Sequence, residues 1–199
     1  MNRKKKAVFL DRDGTINKDV GYPSSYDMID IYPYSFEAVK KINEAGLLAV
    51  VTTNQSGIAR GLIKKEILID MHRLLKEDFS RHDAFFDGIY FCPHYPDASH
   101  PLYGKKCACR KPEPGMALQA AADLNIDTTL SYMVGDKAED ILFGINIKAK
   151  TILVLTGYGE KSQQLLKKNK IKPSYIAANL LEAVNWILAQ EKIISLNYS

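Results

Sequence analysis

The chain has 199 residues, 46% of them hydrophobic and 25% charged, which fits one folded globular domain and excludes a largely disordered chain. The net charge of +4 is too small to predict a nucleic-acid partner, and we expect the basic run 3–6 to be a solvated overhang before the first strand. The apolar run 7–10 is too short for a signal peptide, and no stretch approaches the ~20 apolar residues that span a bilayer. The sequence therefore predicts a cytoplasmic protein without a membrane partner, and nothing in it requires more than a monomer.

Short apolar runs alternate with amphipathic segments along the whole chain. In chain order, the pattern predicts strand Ala7–Leu10, helix Phe36–Ala45 capped by Ser35, strand Leu47–Val51, helix Lys64–Arg81, strand Ile89–Phe91, helix Pro114–Leu124, strand Tyr132–Val134, helix Ala138–Ile145, strand Thr151–Leu155, a Lys-rich helix after Gly159, strand Tyr175–Ala177 and helix Leu180–Gln190. This alternation predicts an α/β, Rossmann-like fold, in which a mostly parallel sheet carries helices on both faces. No repeat or linker divides the chain, so we expect a single domain over residues 1–199.

Polar residues follow several of the predicted strands. Asp11-Arg12-Asp13 follows the first strand, Thr52-Thr53-Asn54 the second, Cys92 the third and Gly135-Asp136 the fourth. Because the carboxyl ends of parallel strands meet at one edge of a sheet, we expect these side chains to share one crevice.

Three acids in that crevice, Asp11, Asp13 and Asp136, would repel one another unless a cation neutralised them. Oxygen ligands favour Mg²⁺, which commonly takes its remaining contacts from water and phosphate. The Thr53 hydroxyl and the Lys111 ammonium group could then hold phosphate oxygens. An Asp-x-Asp pair taken alone is more often a turn former or a helix cap, so the interpretation depends on the whole set.

That set resembles the four motifs of the haloacid dehalogenase superfamily of phosphohydrolases. Asp11-Arg12-Asp13-Gly14-Thr15 resembles the first motif, Thr53 the second, Lys111 the third, and Gly135-Asp136 with Asp140 the fourth. We expect Asp140 either to support the metal ligands from behind or to cap a helix. The two long loops after the first and third strands are too short to fold as a large cap domain. The resemblance therefore implies a haloacid dehalogenase fold with an open active site.

The resemblance also implies a role for each motif residue. Asp11 would attack phosphorus and form an aspartyl phosphate, while Asp13 would protonate the leaving oxygen and later activate water. Mg²⁺ would be bound by Asp11, the backbone carbonyl of Asp13, and Asp136. Lys111 and Thr53 would stabilise the phosphoryl group in the transition state.

Three cysteines and a histidine form two closely spaced pairs, Cys92 with His94 and Cys107 with Cys109. A Cys₃His set is typical of a structural Zn²⁺ site, which would order the zinc loop, defined as residues 92–109. His100 is a second choice for the fourth ligand. The alternatives are three unlinked buried thiols or a redox Cys-x-Cys pair.

The zinc pairs narrow the resemblance to the heptose-bisphosphate phosphatase family within this superfamily. The matching segments are Phe9–Asn17, Gly21-Tyr22, Thr53–Gly61, Cys92-Pro93-His94, Cys107–Pro112, Pro114-Gly115-Met116 and Tyr132–Lys137. That family removes the C7 phosphate of a heptose 1,7-bisphosphate on the route to surface glycans. The resemblance implies that Arg110 recognises the phosphate that is kept, and that the substrate pocket is lined by Asp19, Gly21, Tyr22, Asn54, Gln55, Ser56 and Lys137.

Other functions remain open from the sequence. Histidinol-phosphate phosphatases share the carboxylate and zinc motifs, and an open site on a basic chain would also suit a nucleic-acid 3′-phosphatase, although no basic stripe with interleaved aromatic residues is present. A zinc-stabilised binding module without catalysis is the remaining alternative. The peripheral positions Asp19 and Gly21 could simply form a turn.

Overall fold

The computed structural model of the protein describes residues 4–197. The strands and helices are, in chain order, β1 (Ala7–Leu10), α1 (Tyr34–Glu44), β2 (Leu48–Asn54), α2 (Lys65–Ser80), β3 (Gly88–Cys92), α3 (Gly115–Leu124), β4 (Tyr132–Gly135), α4 (Ala138–Asn146), β5 (Lys150–Val154), α5 (Gly159–Lys168), β6 (Tyr175–Ala177) and α6 (Leu180–Asn197). Short 3₁₀ turns occur at Tyr26–Met28 and Thr128–Leu130.

The six strands form one parallel sheet in the order β3-β2-β1-β4-β5-β6. Alternate residues of β1 reach opposite faces: Val8 and Leu10 pack with α1, α2 and α6, whereas Ala7 and Phe9 pack with α3 and α4. This confirms the predicted parallel α/β fold with helices on both faces. The strand order reverses between β1 and β4, which opens a crevice at their carboxyl ends.

Several predicted boundaries differ from the structure. Helix α1 begins at Tyr34 after Pro33, and Ser35 lies inside it, with its hydroxyl donating to the carbonyl of Ile16 at 2.7 Å instead of capping the helix. Strand β2 continues to Asn54, because β3 pairs with it as far as Cys92. Helix α6 runs beyond the predicted end to Asn197. These helix and strand ends are set by contacts between distant segments, which a local sequence pattern cannot predict.

The basic N-terminal run was predicted to be a solvated overhang, and part of it is not. The Lys5 backbone is held by hydrogen bonds with Asn125 and Asp127, both 2.8 Å long, and Lys6 Nζ lies 2.6 Å from a carboxylate oxygen of Glu191. Arg3 lies outside the described residues. The run therefore joins the edge of the fold at residues 5 and 6.

Two long loops leave the carboxyl edge of the sheet, residues 11–33 after β1 and residues 93–114 after β3. The first contains only a 3₁₀ turn, and the second, over its described length, contains no helix or strand. The fold thus has no large cap over this edge, as predicted. In the part of the chain that the structure describes, no helix is both long and apolar enough to cross a membrane.

Candidate active site

A cleft of about 420 Å³ opens at the carboxyl edge of the sheet. It is lined by every residue predicted for catalysis or substrate binding: Asp11, Asp13, Asp19, Gly21, Tyr22, Thr53, Asn54, Gln55, Ser56, Arg110, Lys111 and Lys137. The metal candidate Asp136 is fully buried beside it. The fold therefore brings together residues that lie more than a hundred positions apart in the chain.

Lys111 links two of the acids at the floor of the cleft. Its ammonium nitrogen lies 2.7 Å from Asp11 Oδ1 and 2.6 Å from Asp140 Oδ1, and it donates a 2.7 Å hydrogen bond to the Thr52 carbonyl. Burial raises the pKa of Asp11 to about 6 despite the opposing charge of Lys111. Burial alone would lower the pKa of Lys111, but Asp11 and Asp140 raise it. Lys111 is therefore a fixed cation next to the proposed nucleophile.

The backbone next to Lys111 is held by Asn54. The Asn54 side-chain oxygen accepts from the Lys111 N–H at 3.0 Å, and its amide nitrogen donates to the Lys111 carbonyl at 3.2 Å. Asn54 was predicted to line the substrate pocket. It does so, and its two polar groups also fix the position of the lysine.

Asp140 caps α4, as expected, because its Oδ2 accepts from the backbone N–H of Lys137 at 2.9 Å. It also joins a cluster that was not predicted in this form: carboxylate oxygens of Asp11, Asp136 and Asp140 lie within 4.8 Å of one another. Asp140 thus belongs with the two acids that the sequence assigned to the metal.

Asp136 is the acid that most clearly lacks a partner. Its Oδ2 accepts from the Tyr158 N–H at 2.8 Å, but its buried Oδ1 has no hydrogen-bond partner among the described residues. Burial, followed by the charges of Asp11 and Asp140, raises the pKa of Asp136 to about 8. A hard divalent cation at this point would satisfy the free oxygen and relieve the repulsion, so the donor set fits Mg²⁺.

The loop after β5 holds Asp136 in place. The Thr156 hydroxyl donates to the Gly14 carbonyl at 2.6 Å, and Gly157 adopts a φ of +55°. A side chain at Gly157 would overlap both Asp136 Oδ2 and the Gly14 Cα. This loop therefore joins the first and fourth motifs, and only glycine fits between them.

Asp13 is not part of the three-carboxylate cluster and has its own hydrogen-bond partners. Its oxygens accept from Arg12 at 3.0 and 2.9 Å, from Asn17 at 3.0 Å and from Gln55 at 2.8 Å. Although burial raises the pKa of Asp13, the charge and hydrogen bonds of Arg12 lower it overall. The side chain therefore favours the carboxylate form in the free protein.

Arg12 is completely buried and has a second partner that the sequence did not predict. Its Nη1 lies 3.0 Å from Nε2 of His72, which lies on α2. Burial and the nearby guanidinium group lower the pKa of His72 to about 3, so the ring is neutral and can accept the hydrogen bond. No local signal marks His72, because its partner is sixty residues away in the chain.

The peripheral residues of the pocket also have structural roles. Asp19 Oδ1 accepts from the Gly21 N–H at 3.0 Å, which is the turn that the alternative interpretation anticipated, while Asp19 Oδ2 pairs with Lys137 Nζ at 2.9 Å. Thr53 Oγ1 accepts from the Gln55 amide at 2.8 Å. Asp19 and Gly21 therefore form the turn and also line the cleft.

The zinc loop brings its four candidate ligands together, since the ligand atoms of Cys92, His94, Cys107 and Cys109 lie within 4.8 Å of one another. The contact with Cys92 lowers the pKa of Cys109 to about 5, which favours the thiolate that metals bind. His100 is not in the cluster, because its Nδ1 accepts from the backbone of residues 102 and 103. The donor set fits a tetrahedral Zn²⁺ ion.

Sequence reasoning missed the loop of Thr156, Gly157 and Tyr158, although a signal was present. The loop follows the carboxyl end of β5, and the rule that singled out the residues after the other strands applies equally to it. By contrast, the ion pair of Lys111 with Asp140 depends on a long-range approach that the sequence does not reveal.

Known proteins are similar to this chain in sequence and in fold. The family model described as HAD-hydrolase-like matches residues 108–183. The structure is similar to a crystal structure of D,D-heptose 1,7-bisphosphate phosphatase from B. bronchiseptica complexed with magnesium and phosphate, with a TM-score of 0.81 and 30% identity, covering 93% of this chain and 99% of that one. The chain is a phosphatase of the haloacid dehalogenase type, a class of enzymes that use Mg²⁺.

Two curated relatives define the family within that class. The chain is 46% identical over 154 residues to D-glycero-beta-D-manno-heptose-1,7-bisphosphate 7-phosphatase of Pasteurella multocida, covering 77% of this chain and 83% of the relative. It is 40% identical over 192 residues to D-glycero-D-manno-heptose-1,7-bisphosphate 7-phosphatase of Chlorobaculum tepidum, covering 93% and 96%. The chain belongs to the family of heptose-1,7-bisphosphate 7-phosphatases.

The Gly157 loop gives a direct test of how Asp136 is positioned. Gly157→Ala should lower kcat/KM by more than about tenfold, because the added Cβ displaces Asp136 and Gly14. The matched control is Gly46→Ala, at a φ of +71° with no atom within 4 Å of the new Cβ, which carries similar backbone strain of about 1–2 kcal/mol away from the cleft. Steady-state kinetics and urea unfolding of both variants decide the question. Equal activity of the two variants would contradict the positioning role.

Proposed function

We propose that the protein hydrolyses the C7 phosphate of D-glycero-D-manno-heptose 1,7-bisphosphate and releases heptose 1-phosphate for nucleotide-activated heptose. The observation that carries this proposal is one cleft that combines two kinds of group. It is lined by the carboxylate and ammonium groups of Asp11 and Lys111, and also by Arg110, which has no acidic partner among the described residues. Arg110 could bind the phosphate that is kept while the other phosphate reacts at Asp11, and the names of the relatives supply the sugar.

Asp11 is the proposed nucleophile. One of its oxygens is held by Lys111, and the other can attack phosphorus in line, breaking the bond to the C7 oxygen and forming an aspartyl phosphate. Lys111 and the Thr53 hydroxyl would then hold the phosphoryl oxygens as charge spreads over them. The pKa of Lys111 is raised, so the ammonium group stays charged throughout.

Asp13 is the proposed acid and base. It would give a proton to the leaving C7 oxygen, and in the second step its carboxylate would take a proton from the water that hydrolyses the aspartyl phosphate. The lowered pKa of Asp13 in the free protein favours the second role. The first role requires the approach of the substrate to weaken the hydrogen bonds from Arg12, Asn17 and Gln55.

The proposed Mg²⁺ site uses the same acidic residues. Asp11, Asp136 and the Asp13 carbonyl would hold Mg²⁺, with Asp140 beside them, and the bound ion would neutralise negative charge on the phosphoryl group. The zinc loop 92–109 would hold a structural Zn²⁺ through its three cysteines and His94, within a single domain that spans the chain. Thiols kept reduced for such a site fit the cytoplasm.

The substrate is tested by phosphate release with Mg²⁺ from both anomers of heptose 1,7-bisphosphate, alongside histidinol phosphate and fructose 1,6-bisphosphate. We expect kcat/KM for one heptose anomer to exceed the others by at least about a hundredfold, equivalent to about 2.7 kcal/mol in the transition state. Because the two anomers belong to different glycan pathways, the preferred anomer also identifies the pathway that the enzyme serves. Equal or faster hydrolysis of histidinol phosphate would overturn the substrate assignment and leave the phosphatase assignment in place.

The zinc site is tested by metal analysis of the purified chain. We expect about one zinc per chain in the wild type and little in Cys107→Ala, because the fourth ligand of a tetrahedral site is then missing. His100→Ala is the matched control and should leave the zinc content unchanged, since among residues 4–197 that imidazole forms hydrogen bonds only with backbone N–H groups. A wild-type protein free of zinc would reject the assignment.

A further inference from the structure

Two arginines from different segments lie over one aromatic ring beside the cleft. The guanidinium carbon of Arg60 is 4.1 Å from the centroid of the Tyr95 ring, and that of Arg110 is 5.1 Å from the same centroid. The negative face of a tyrosine ring attracts such cations. Both guanidinium groups therefore contact one ring, and the two distances place their central carbons no more than about 9 Å apart.

These two charges lack acidic partners, unlike the other cations of the cleft. Lys111 and Lys137 each form ion pairs with aspartates. In residues 4–197, neither Arg60 nor Arg110 pairs with a carboxylate, and Arg110 donates a hydrogen bond only to the His94 carbonyl, at 3.1 Å. The pair thus carries two positive charges that no carboxylate of the described residues neutralises, so both can bind an anion.

Backbone hydrogen bonds hold Tyr95 in place. The Tyr95 N–H donates to the Tyr103 carbonyl at 3.1 Å, and the Tyr95 carbonyl accepts from Ala98 at 3.1 Å. Tyr95 directly follows His94 of the metal cluster, and Arg110 directly follows Cys109. The cluster that orders the zinc loop therefore also sets the distance between ring and guanidinium.

Arg60 reaches the same ring from the turn after β2. Its N–H donates to the Ser56 carbonyl at 3.0 Å, and the preceding residues Ile58 and Ala59 are buried. The turn is therefore anchored in the core while the Arg60 side chain is exposed at the surface. Arg60 and Arg110 therefore come from different segments of the chain and meet at the Tyr95 ring.

The geometry points to Arg60 as a specificity-determining residue that binds the second phosphate of a bisphosphate substrate together with Arg110, and to Tyr95 as the residue that positions both arginines. Arg60 contributes charge, and Tyr95 positions both guanidinium groups. A guanidinium uses its face against the ring, which leaves N–H groups on its edge for phosphate oxygens. This inference rests on the proposed function, because it assigns the phosphate that is kept to a defined surface.

The test compares substrates with and without the second phosphate. Arg60→Gln and Tyr95→Leu are assayed on heptose 1,7-bisphosphate and heptose 7-phosphate, and in parallel on fructose 1,6-bisphosphate and fructose 6-phosphate. We expect the ratio of bisphosphate to monophosphate kcat/KM to fall about tenfold in both variants, mainly through a higher KM for the bisphosphate. Tyr95→Phe should restore the ratio, because it keeps the ring. Arg81→Gln, which removes an exposed arginine from the end of α2, should keep the wild-type ratio.

Two outcomes would overturn the inference. An unchanged ratio in Arg60→Gln would show that its charge does not reach the second phosphate. An equal loss on bisphosphate and monophosphate in both variants would show a structural role only. A wild type inactive on heptose 1,7-bisphosphate would instead reject the proposed substrate, and the fructose pair would then decide the role of Arg60 and Tyr95.

Discussion

The carboxylates of Asp11, Asp136 and Asp140 come within 4.8 Å of one another in the buried floor of the cleft, and the rest of the site depends on keeping them there. Such crowding is unfavourable without positive charge nearby. Lys111 supplies part of it, and its ion pairs with Asp11 and Asp140 are shielded from water. The remaining free oxygen of Asp136 leaves the charge balance incomplete until a cation binds. Relief of this repulsion is the physical reason to expect a divalent ion at the site.

The fold imposes this crowding through its topology. Asp11 follows β1 and Asp136 follows β4, and these neighbouring strands flank the point where the strand order reverses. Lys111 comes from the loop that follows β3, so its position depends on how that loop is ordered. The thiol and imidazole cluster ends at Cys109, only two residues before Lys111, and Asn54 fixes the backbone of the lysine from β2. The position of Lys111 is therefore coupled to the cluster of three cysteines and His94 through the chain and to β2 through Asn54.

The local pattern was enough to predict most of the fold, and the resemblance to a phosphatase family supplied most residues of the cleft. Apolar runs such as Ala7–Leu10 and Tyr175–Ala177 have the predicted limits, because a buried strand bounded by turns leaves little choice. Every predicted pocket residue lines the cleft, because strand ends in a parallel sheet converge. What could not be predicted are approaches between distant segments, such as His72 with Arg12 or Lys6 with Glu191. The capping role expected for Ser35 failed for the same reason, since its hydroxyl bonds to Ile16 from another loop.

The central claim is that Asp11 carries the phosphoryl group as a covalent intermediate. It is tested most directly by the stereochemistry at phosphorus when a chiral, isotopically labelled thiophosphate ester of the substrate is hydrolysed in labelled water. Two successive in-line displacements, first by Asp11 and then by water, invert the configuration twice, so the account predicts net retention. Net inversion would mean that water attacks the substrate directly, and Asp11 would then be no more than a metal ligand and a partner of Lys111.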